Sequence, residues 1–585
     1  MRGHSLALTL LTTAAAWLQP PPVLPLPSRG GPEGPPRPYG VQPAPGPAPP
    51  HTSPRWARTQ DHALLYGPFP GGGLTRAISD GTLLLDEHAP ARALALTRIR
   101  ATGARVVRIP VSWRAVVSAT PPADFDARDP ASPAYRFGLI DAAVSSAVSA
   151  GLTPLLVVSH APAFAEAPHR WPYAYPGSWA PNPSALEAFA VALARRYDGS
   201  HPAPLEPGRS LPRVNMLQAW NEPNLARYLE PQWVIAHGRW SAFSPLLYRQ
   251  LLDAFYAGVK SVRPDDVVVA SGMAPNGDPA GVGRMAPLPF LRGMLCLAPT
   301  SPPSIRRKTP QPASRPGAAH HARARASGRG ARCADPPRFD VLAFHPLSIG
   351  DPDRPAASSS DVSISDAAKI TGLLTEAERL GTALPAGVKP VWVTELNWES
   401  DPRGGVPGRL QAQWISRALH RLWVAGVGLV AWQFLIDPYP GLLAATPTGA
   451  TFAYQRPAGL YSAGAGGDPA SARPKPFLRG FTFPFDPLRV DRRHVRVWAL
   501  LTRPGQPVWL QRLGQTDRTE RGGPPGRGGL PARGERRWRT IARLRADRYG
   551  VLNILVSLTG AAQLRLQNES FTSPSSVVPR TQRPL

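Results

Sequence analysis

Residues 213–224 read Arg-Val-Asn-Met-Leu-Gln-Ala-Trp-Asn-Glu-Pro-Asn. The apolar part, which ends at Trp220, is typical of a short buried strand, and the Asn-Glu-Pro sequence after it is typical of a loop. Helical patterns lie on both sides, at residues 184–197 and 245–262. A buried strand between two helices is the repeating unit of a parallel sheet whose faces are covered by helices.

The same alternation continues in both directions along the chain. Further strands are predicted near residues 74–84 and at 105–110, 153–158, 266–271, 339–344, 391–394 and 428–432. Further helices are predicted at residues 90–104, 135–151, 287–297, 367–384 and 409–425. Eight strand–helix units over about 370 residues predict an α/β fold of the (β/α)8 or TIM barrel type. An open doubly wound sheet is the alternative, but the glycine-rich phosphate turn expected after its first strand does not occur in the sequence.

Composition and pattern divide the 585 residues into segments. Short alternating runs between residues 485 and 575 predict a small antiparallel β-domain similar to a sandwich. The predicted order is a signal peptide at 1–19, a proline-rich linker at 20–60, the barrel at 61–445 with a basic insertion at 298–336, a connecting segment at 446–484, and the β-domain at 485–578.

The N-terminal residues 1–19 combine one early positive charge, a short apolar run and small residues. That layout is typical of a secretory signal peptide, and the run is too short to span a bilayer. We therefore expect a secreted, extracellular protein without stable membrane insertion. The two cysteines, Cys296 and Cys333, bracket the basic insertion, and export would allow them to form a disulfide there. They are a poor zinc site, because no histidine lies beside them at ligand spacing.

The formal charge of +27 raises the question of nucleic-acid binding. Much of the positive charge is arginine in two Gly/Pro/Arg-rich stretches, residues 301–332 and 515–539, and such runs are more often solvated loops. We expect no nucleic-acid partner. Association of these stretches with an anionic cell-wall polymer is the alternative, and the sequence leaves the oligomeric state open.

Two carboxylates stand where the barrel places its active site. Glu222 follows the fourth predicted strand and Glu395 follows the seventh. Residues at the carboxyl ends of barrel strands project into one mouth, and these two strands face each other across it. A convergent carboxylate pair is what glycoside hydrolysis requires, with one group protonating the departing oxygen and the other attacking the anomeric carbon. Carboxyl groups about 5–5.5 Å apart give retention of configuration.

The motifs Trp220-Asn-Glu-Pro-Asn224 and Trp392-Val-Thr-Glu-Leu-Asn397 resemble the acid/base and nucleophile motifs of clan A glycoside hydrolases. They are most similar to families 39 and 5 and to secreted bacterial cellulase-like proteins of that clan, over roughly residues 75–445. The resemblance implies a retaining glycosidase that acts on a carbohydrate without metal or organic cofactor. Glu222 would be the acid/base and Glu395 the nucleophile.

The resemblance also implies roles for other residues at strand ends. Asn221 would bind the sugar 2-hydroxyl, Arg108 would hold the nucleophile ionised, and Trp432 would be the floor beneath the sugar ring. His160 and His345 would contact hydroxyls or the carboxylates. The alternatives are structural: an ion pair for Arg108, a core position for Trp432 and satisfied structural histidines.

Other features leave alternatives open. Glu399 is a competing carboxylate, although its position beyond the strand favours a solvated loop. The loop after the third strand carries aromatic residues that would line outer sugar subsites or pack the loop: Trp171, Tyr173, Tyr175 and Trp179. Motifs of zinc proteases, P-loop enzymes and serine hydrolases are absent from the sequence. The functional alternative is a non-catalytic glycan-binding protein that uses the barrel cleft.

Overall fold

The computed structural model describes residues 72–204, 206–297, 335–348, 350–400, 405–438, 457–515 and 536–581. The predicted signal peptide and proline-rich linker lie outside the described residues, as does almost all of the basic insertion. Cys333 lies outside them too, so its pairing with Cys296 stays a prediction. The same holds for the segment boundaries.

The strands and helices follow in chain order. The strands are β1 (Thr75–Ser79), β2 (Val106–Ser112), β3 (Thr153–Ser159), β4 (Met216–Ala219), β5 (Trp233–Ala236), β6 (Arg239–Ala242), β7 (Val267–Met273), β8 (Val341–Phe344), β9 (Val391–Leu396), β10 (Val427–Gln433), β11 (Phe485–Arg489), β12 (His494–Leu500), β13 (Pro507–Gln515), β14 (Arg536–Arg545), β15 (Val551–Ser557), β16 (Ala562–Gln567) and β17 (Ser576–Val578). The α-helices are α1 (Gly81–Leu84), α2 (Ala89–Ala101), α3 (Trp113–Val116), α4 (Gly138–Ser149), α5 (Pro183–Arg196), α6 (Ser244–Val262), α7 (Pro287–Met294), α8 (Ala367–Leu380), α9 (Gly408–Val424) and α10 (Pro476–Thr482).

Eight parallel strands close into a barrel, which confirms the predicted fold class. Hydrogen bonds join β1, β2, β3, β4, β7, β8, β9 and β10 in that order, and β10 pairs with β1 to close the ring. The weakly marked first strand is β1. The fourth strand is shorter than predicted at both ends: it begins at Met216, and it stops at Ala219 because the backbone turns to a positive φ of 73° at Trp220.

Apolar side chains fill the barrel on both surfaces of its wall. Outside the wall, the strands and the surrounding helices share one large buried core, which includes Ile78, Val107 and Phe255. Inside the wall lies a smaller cluster formed by Ala77, Val106, Leu155, Val269, Val341, Ala343, Leu429 and Ala431. Because these side chains fill the centre of the barrel, the described strands offer a ligand the mouth of the barrel rather than its centre.

The C-terminal region forms two antiparallel sheets, as predicted. One sheet has the order β11-β12-β15 and the other β14-β13-β16-β17. Both contribute to one apolar cluster, with Val497 and Leu552 from the first sheet and Leu510 and Leu564 from the second. A shared core between two sheets is the arrangement of a β-sandwich.

A buried polar cluster connects the β-domain to the barrel. Asp486 of β11 accepts a hydrogen bond from Arg417 Nε at 2.8 Å and lies 2.7 Å from His420 Nδ1, both on α9. Burial would raise the pKa of Asp486, but the charge and hydrogen bonds of Arg417 and His420 lower it to about 2. Asp486 is therefore ionised at neutral pH, and its charge holds the two regions together.

Across the described ranges, we find no helix with both the length and the hydrophobicity needed to pass through a bilayer.

Candidate active site

Four barrel strands and the residues that follow them bring together four side chains that the sequence singled out, although Arg108 lies within its strand and not at the predicted strand end. Arg108 lies on β2, Glu222 follows β4, His345 follows β8 and Glu395 lies on β9. All four side chains are buried or nearly so. The site is therefore a polar cluster enclosed by the mouth of the barrel.

Glu222 and Glu395 converge on His345. Nδ1 of His345 lies 3.0 Å from Oε1 of Glu222 and 3.8 Å from Oε2 of Glu395. One oxygen of each carboxylate and one ring nitrogen of His345 all lie within 4.8 Å of one another. The two carboxylates can therefore act on the same atom of a bound molecule.

Arg108 donates hydrogen bonds to Glu395 and to Asn221, the residue directly before Glu222. Its Nη1 donates to Glu395 Oε1 at 2.6 Å, and its Nη2 donates to Asn221 Oδ1 at 2.6 Å. Its Nε donates to Gln218 Oε1 at 2.9 Å, and Nη1 also lies 3.4 Å from Ser79 Oγ. The planar guanidinium fork suits this arrangement, because each N–H has a fixed direction. The positive charge of Arg108 thus compensates Glu395 rather than Glu222.

The backbone around Glu222 is held in an unusual conformation. Both Trp220 and Glu222 have positive φ, 73° and 41°, which non-glycine residues seldom adopt. The Trp220 indole donates to the carbonyl of Tyr228 at 2.8 Å, and the Glu222 N–H donates to the carbonyl of Gly272 at 3.1 Å. Such strain is found where surrounding contacts fix a functional side chain, and here those contacts fix Glu222.

His345 is fully buried and uses both ring nitrogens. Nε2 lies 2.9 Å from Thr394 Oγ1, on the strand that carries Glu395. A neutral imidazole satisfies both contacts if Nδ1–H donates to Glu222 and Nε2 accepts the Thr394 hydroxyl proton. The histidine therefore fixes the position of Glu222 relative to Glu395.

Gly272 sits in a bulge where β7 shifts register against β8. Its φ is 78°, and a Cβ at this position would lie 2.6 Å from Gln218 Nε2 and 2.9 Å from His345 Nε2. The site therefore requires glycine here for two reasons, the backbone conformation and the close approach of two site residues.

His160 takes a different position from His345, although both end a strand. Its Nδ1 lies 2.9 Å from Ser159 Oγ, and its ring centroid lies 5.1 Å from that of Tyr228. Burial, together with the charges of Arg227 and Arg114, lowers the pKa of His160 to about 3. His160 is thus a neutral residue beside Tyr228, and its predicted contact with hydroxyls stays a prediction.

Tyr228 is a site residue that the sequence did not indicate. Burial raises the pKa of its phenol, and the charges of Glu222 and Glu395 add to that shift. The phenol therefore remains protonated beside the carboxylates and can donate a hydrogen bond.

Trp432 lies in the core. It is fully buried, its indole donates to the Ala458 carbonyl at 3.0 Å, and its ring packs against Trp398 and Phe477. This environment matches the structural alternative, since the ring is enclosed by these neighbours rather than presented to a sugar. The predicted floor at Trp432 would require them to move.

The remaining candidates lie farther out. Glu399 follows β9 in a partly exposed stretch, as its position predicted. In the loop after β3, Trp171 and Tyr173 are exposed, whereas Tyr175 and Trp179 are half-buried. The loop therefore combines the two alternatives, with exposed rings at one part and packed rings at another.

Sequence reasoning missed four residues of the site, and three of them had a signal. Gln218 and Thr394 are polar residues within otherwise apolar strands, which marks a buried hydrogen-bonding role. Gly272 interrupts the valine-rich strand β7, which marks a bulge or a close approach. Tyr228 lies in a loop six residues after Glu222, and nothing in the sequence distinguishes it from other loop tyrosines.

Glu222, His345 and Glu395 are spaced closely enough to hold a metal ion. The charge arrangement argues against one. The Arg108 guanidinium already occupies an oxygen of Glu395, and its positive charge would repel a cation bound to the same carboxylate. We therefore treat the cluster as an acid–base site.

No protein-family model matches the sequence, and no curated protein matches it. Solved structures of similar architecture include a family 39 glycoside hydrolase from the gut symbiont Bacteroides cellulosilyticus WH2 (17% identity, 83% of this chain and 81% of that chain, TM-score 0.45). A monomeric β-xylosidase from Caulobacter crescentus CB15 has 14% identity over 84% of this chain and 96% of that chain, with a TM-score of 0.41. A GH5_18 protein from Bifidobacterium longum subsp. infantis has 15% identity over 70% of this chain and 78% of that chain, with a TM-score of 0.39.

Proposed function

We propose that the chain is a retaining glycoside hydrolase in which Glu395 is the nucleophile and Glu222 the acid/base. The observation that supports the proposal is that one oxygen of Glu222 and one oxygen of Glu395 lie within 4.8 Å of each other. At such a separation no water fits between the carboxylate and the anomeric carbon, so one carboxylate attacks directly. A spacing of about 6.5–9.5 Å would have supported inversion instead.

The contact between Arg108 and Glu395 supports this division of roles. The retaining mechanism needs one carboxylate that attacks and one carboxyl group that gives a proton. Arg108 donates directly to Glu395 at 2.6 Å, so its positive charge compensates the carboxylate proposed to attack. Glu222 has a histidine partner instead, and it can hold a proton on its second oxygen. The charged group is suited to attack and the protonated group to proton donation.

The reaction then follows in two displacements. Glu395 attacks the anomeric carbon while the glycosidic C–O bond breaks, and Glu222 gives its proton to the departing oxygen. Glu222, now a carboxylate, takes a proton from water, and that water displaces Glu395 from the same carbon. Asn221 accepts from Arg108 through Oδ1, so its amide nitrogen is the group that can donate to a sugar hydroxyl.

The experiment compares Glu222→Gln, Glu395→Gln and the matched control Glu399→Gln on aryl glycosides and polysaccharides. We expect Glu222→Gln to lower kcat by about 10²–10⁴-fold on substrates with poor leaving groups, and less on activated aryl glycosides that need no proton. Glu395→Gln should lose turnover on both, while Glu399→Gln keeps it.

The configuration of the first-formed product, followed by NMR, tests the mechanism separately. Retention supports the nucleophile assignment. An inverted product, or full turnover in the Glu222→Gln and Glu395→Gln variants, would refute it. Glycan binding without any turnover would favour the non-catalytic alternative. We also propose that the enzyme is exported, because residues 1–19 have the layout of a signal peptide. Its carbohydrate substrate would then lie outside the cell, and the chemistry of the site supports that substrate class.

A further inference from the structure

A β-hairpin forms part of the loop after β4, which contains Glu222. Strands β5 and β6 form it within the segment between β4 and α6. Gln232, at its base, is buried and donates through Nε2 to the carbonyl of Pro223 at 2.9 Å, while the Phe243 N–H donates to the Gln232 carbonyl at 3.0 Å. The hairpin is thus anchored to the residue directly after the proposed acid/base.

One face of this hairpin is apolar along its whole length. Trp233 pairs with Ala242 and Ile235 pairs with Trp240, so these four side chains lie on the same face. Trp233, at the base, packs against the barrel core. Farther along, Ile235 is 67% exposed and Trp240 is 51% exposed. The apolar face therefore begins at Trp233 in the core and ends at Ile235 and Trp240, whose side chains are largely exposed.

Trp240 rests on the neighbouring barrel loop. A Cβ at Gly281 would lie 2.5 Å from Cε2 and Nε1 of the indole, so the ring lies directly against that glycine. The same loop pairs with the chain just after Glu222, since the Ala226 N–H donates to the Gly283 carbonyl at 2.7 Å. Ala226 is four residues from Glu222, at most about 14 Å along an extended chain. Trp240 therefore connects the loop after β4, which contains Glu222, with the loop after β7.

We propose that Trp240, supported by Ile235, is the binding platform for a sugar of the leaving group. This inference rests on the proposed function. Glu222 protonates the departing oxygen, so the loops that start at Glu222 lie nearest to the departing part of the substrate. Part of the indole lies against Gly281, and its exposed part can pack against the apolar C–H face of a pyranose ring. The substrate class is then an oligo- or polysaccharide with sugar units beyond the cleaved bond.

The test compares Trp240→Ala with the wild type on an oligosaccharide series and on 4-nitrophenyl glycosides of the same sugar. Loss of a stacked indole should lower kcat/KM for oligosaccharides on the order of tenfold, mostly through KM. The fall should be smaller for the nitrophenyl substrates, because they carry no leaving-group sugar. Phe571→Ala removes an exposed aromatic side chain of the β-domain and should change neither value.

Binding measured without turnover separates this inference from the proposed function. In a Glu222→Gln background, calorimetry with the same oligosaccharides should show about tenfold weaker binding when Trp240→Ala is added. Equal affinity with and without Trp240 would overturn the platform, whether or not the wild type is an enzyme. Self-association of the wild type that Trp240→Ala abolishes would also overturn it, because the face would then bind a second copy.

Discussion

Gly272 offers the sharpest test of how the barrel holds its acid–base cluster. Its carbonyl accepts the Glu222 N–H, and its missing side chain leaves room for Gln218 and His345. Gly272→Ala would place a methyl group 2.6 Å from Gln218 Nε2 and 2.9 Å from His345 Nε2. Both side chains are buried, so neither can move away into solvent.

The expected cost has two parts. Alanine at a φ of 78° costs about 1–2 kcal/mol for the backbone conformation. Forcing the methyl group into a packed site costs about 1–3 kcal/mol more. Gly426→Ala is the matched control: Gly426 has a φ of 86°, but a Cβ there would meet no atom of the described residues within 4 Å. The control carries the backbone cost alone.

Urea unfolding measures the stability of each variant, and steady-state kinetics measures its activity. We expect Gly272→Ala to lose about 1–3 kcal/mol more unfolding free energy than Gly426→Ala. Its kcat/KM should fall on the order of 10²-fold, because displacement of His345 misplaces Glu222, whereas Gly426→Ala should retain activity. Equal stability and equal activity in the two variants would refute the close-approach argument.

Two further predictions concern pH. Since the pKa of Asp486 is lowered from 3.8 to about 2, its ionised form stabilises the fold above about pH 4, and that stability is lost as the pH falls towards 2. Over this range the unfolding free energy of the wild type should fall by about 2 kcal/mol more than that of Asp486→Asn, and parallel urea curves would contradict this. His160, with a pKa lowered from 6.5 to about 3, must take up a proton on unfolding below pH 6.5, so the wild type should lose stability between pH 6.5 and 3. His160→Gln should show a shallower pH slope in the same unfolding assay, and an unchanged slope would mean that His160 is accessible to protons in the folded state.

The sequence predicted the two carboxylates because a strand end is easy to locate. Glu222 and Glu395 each follow an apolar run, and the barrel geometry then places both side chains at the same mouth. Arg108 was expected at a strand end by the same rule, but β2 continues past it to Ser112, so its side chain enters the site from within the strand. In a barrel fold, the end of one predicted strand also predicts which distant parts of the sequence lie near its side chain.

The two histidines show what a strand end alone does not determine. His160 and His345 occupy the same position in the sequence pattern, directly after a strand. Only the structure separates them, because the backbone of His160 turns to a φ of 58° and its ring packs beside Tyr228. The sequence pattern did not determine the environment of Trp432 either. Its burial depends on Phe477 and Phe481 of α10, more than forty residues later in the chain.

Arg108 shows why stability and chemistry are coupled in this site. Its guanidinium joins Ser79 of β1, Gln218 of β4 and Glu395 of β9, so one side chain both connects the barrel wall and compensates the proposed nucleophile. Removing it would leave a buried carboxylate unpaired, which typically costs about 3–5 kcal/mol of stability. A loss of activity in such a variant would therefore not distinguish a missing catalytic charge from a loosened barrel. The Gly272→Ala and Gly426→Ala pair keeps every charge of the cluster, so a loss of activity confined to Gly272→Ala reports displacement of His345 and Glu222 rather than a missing charge.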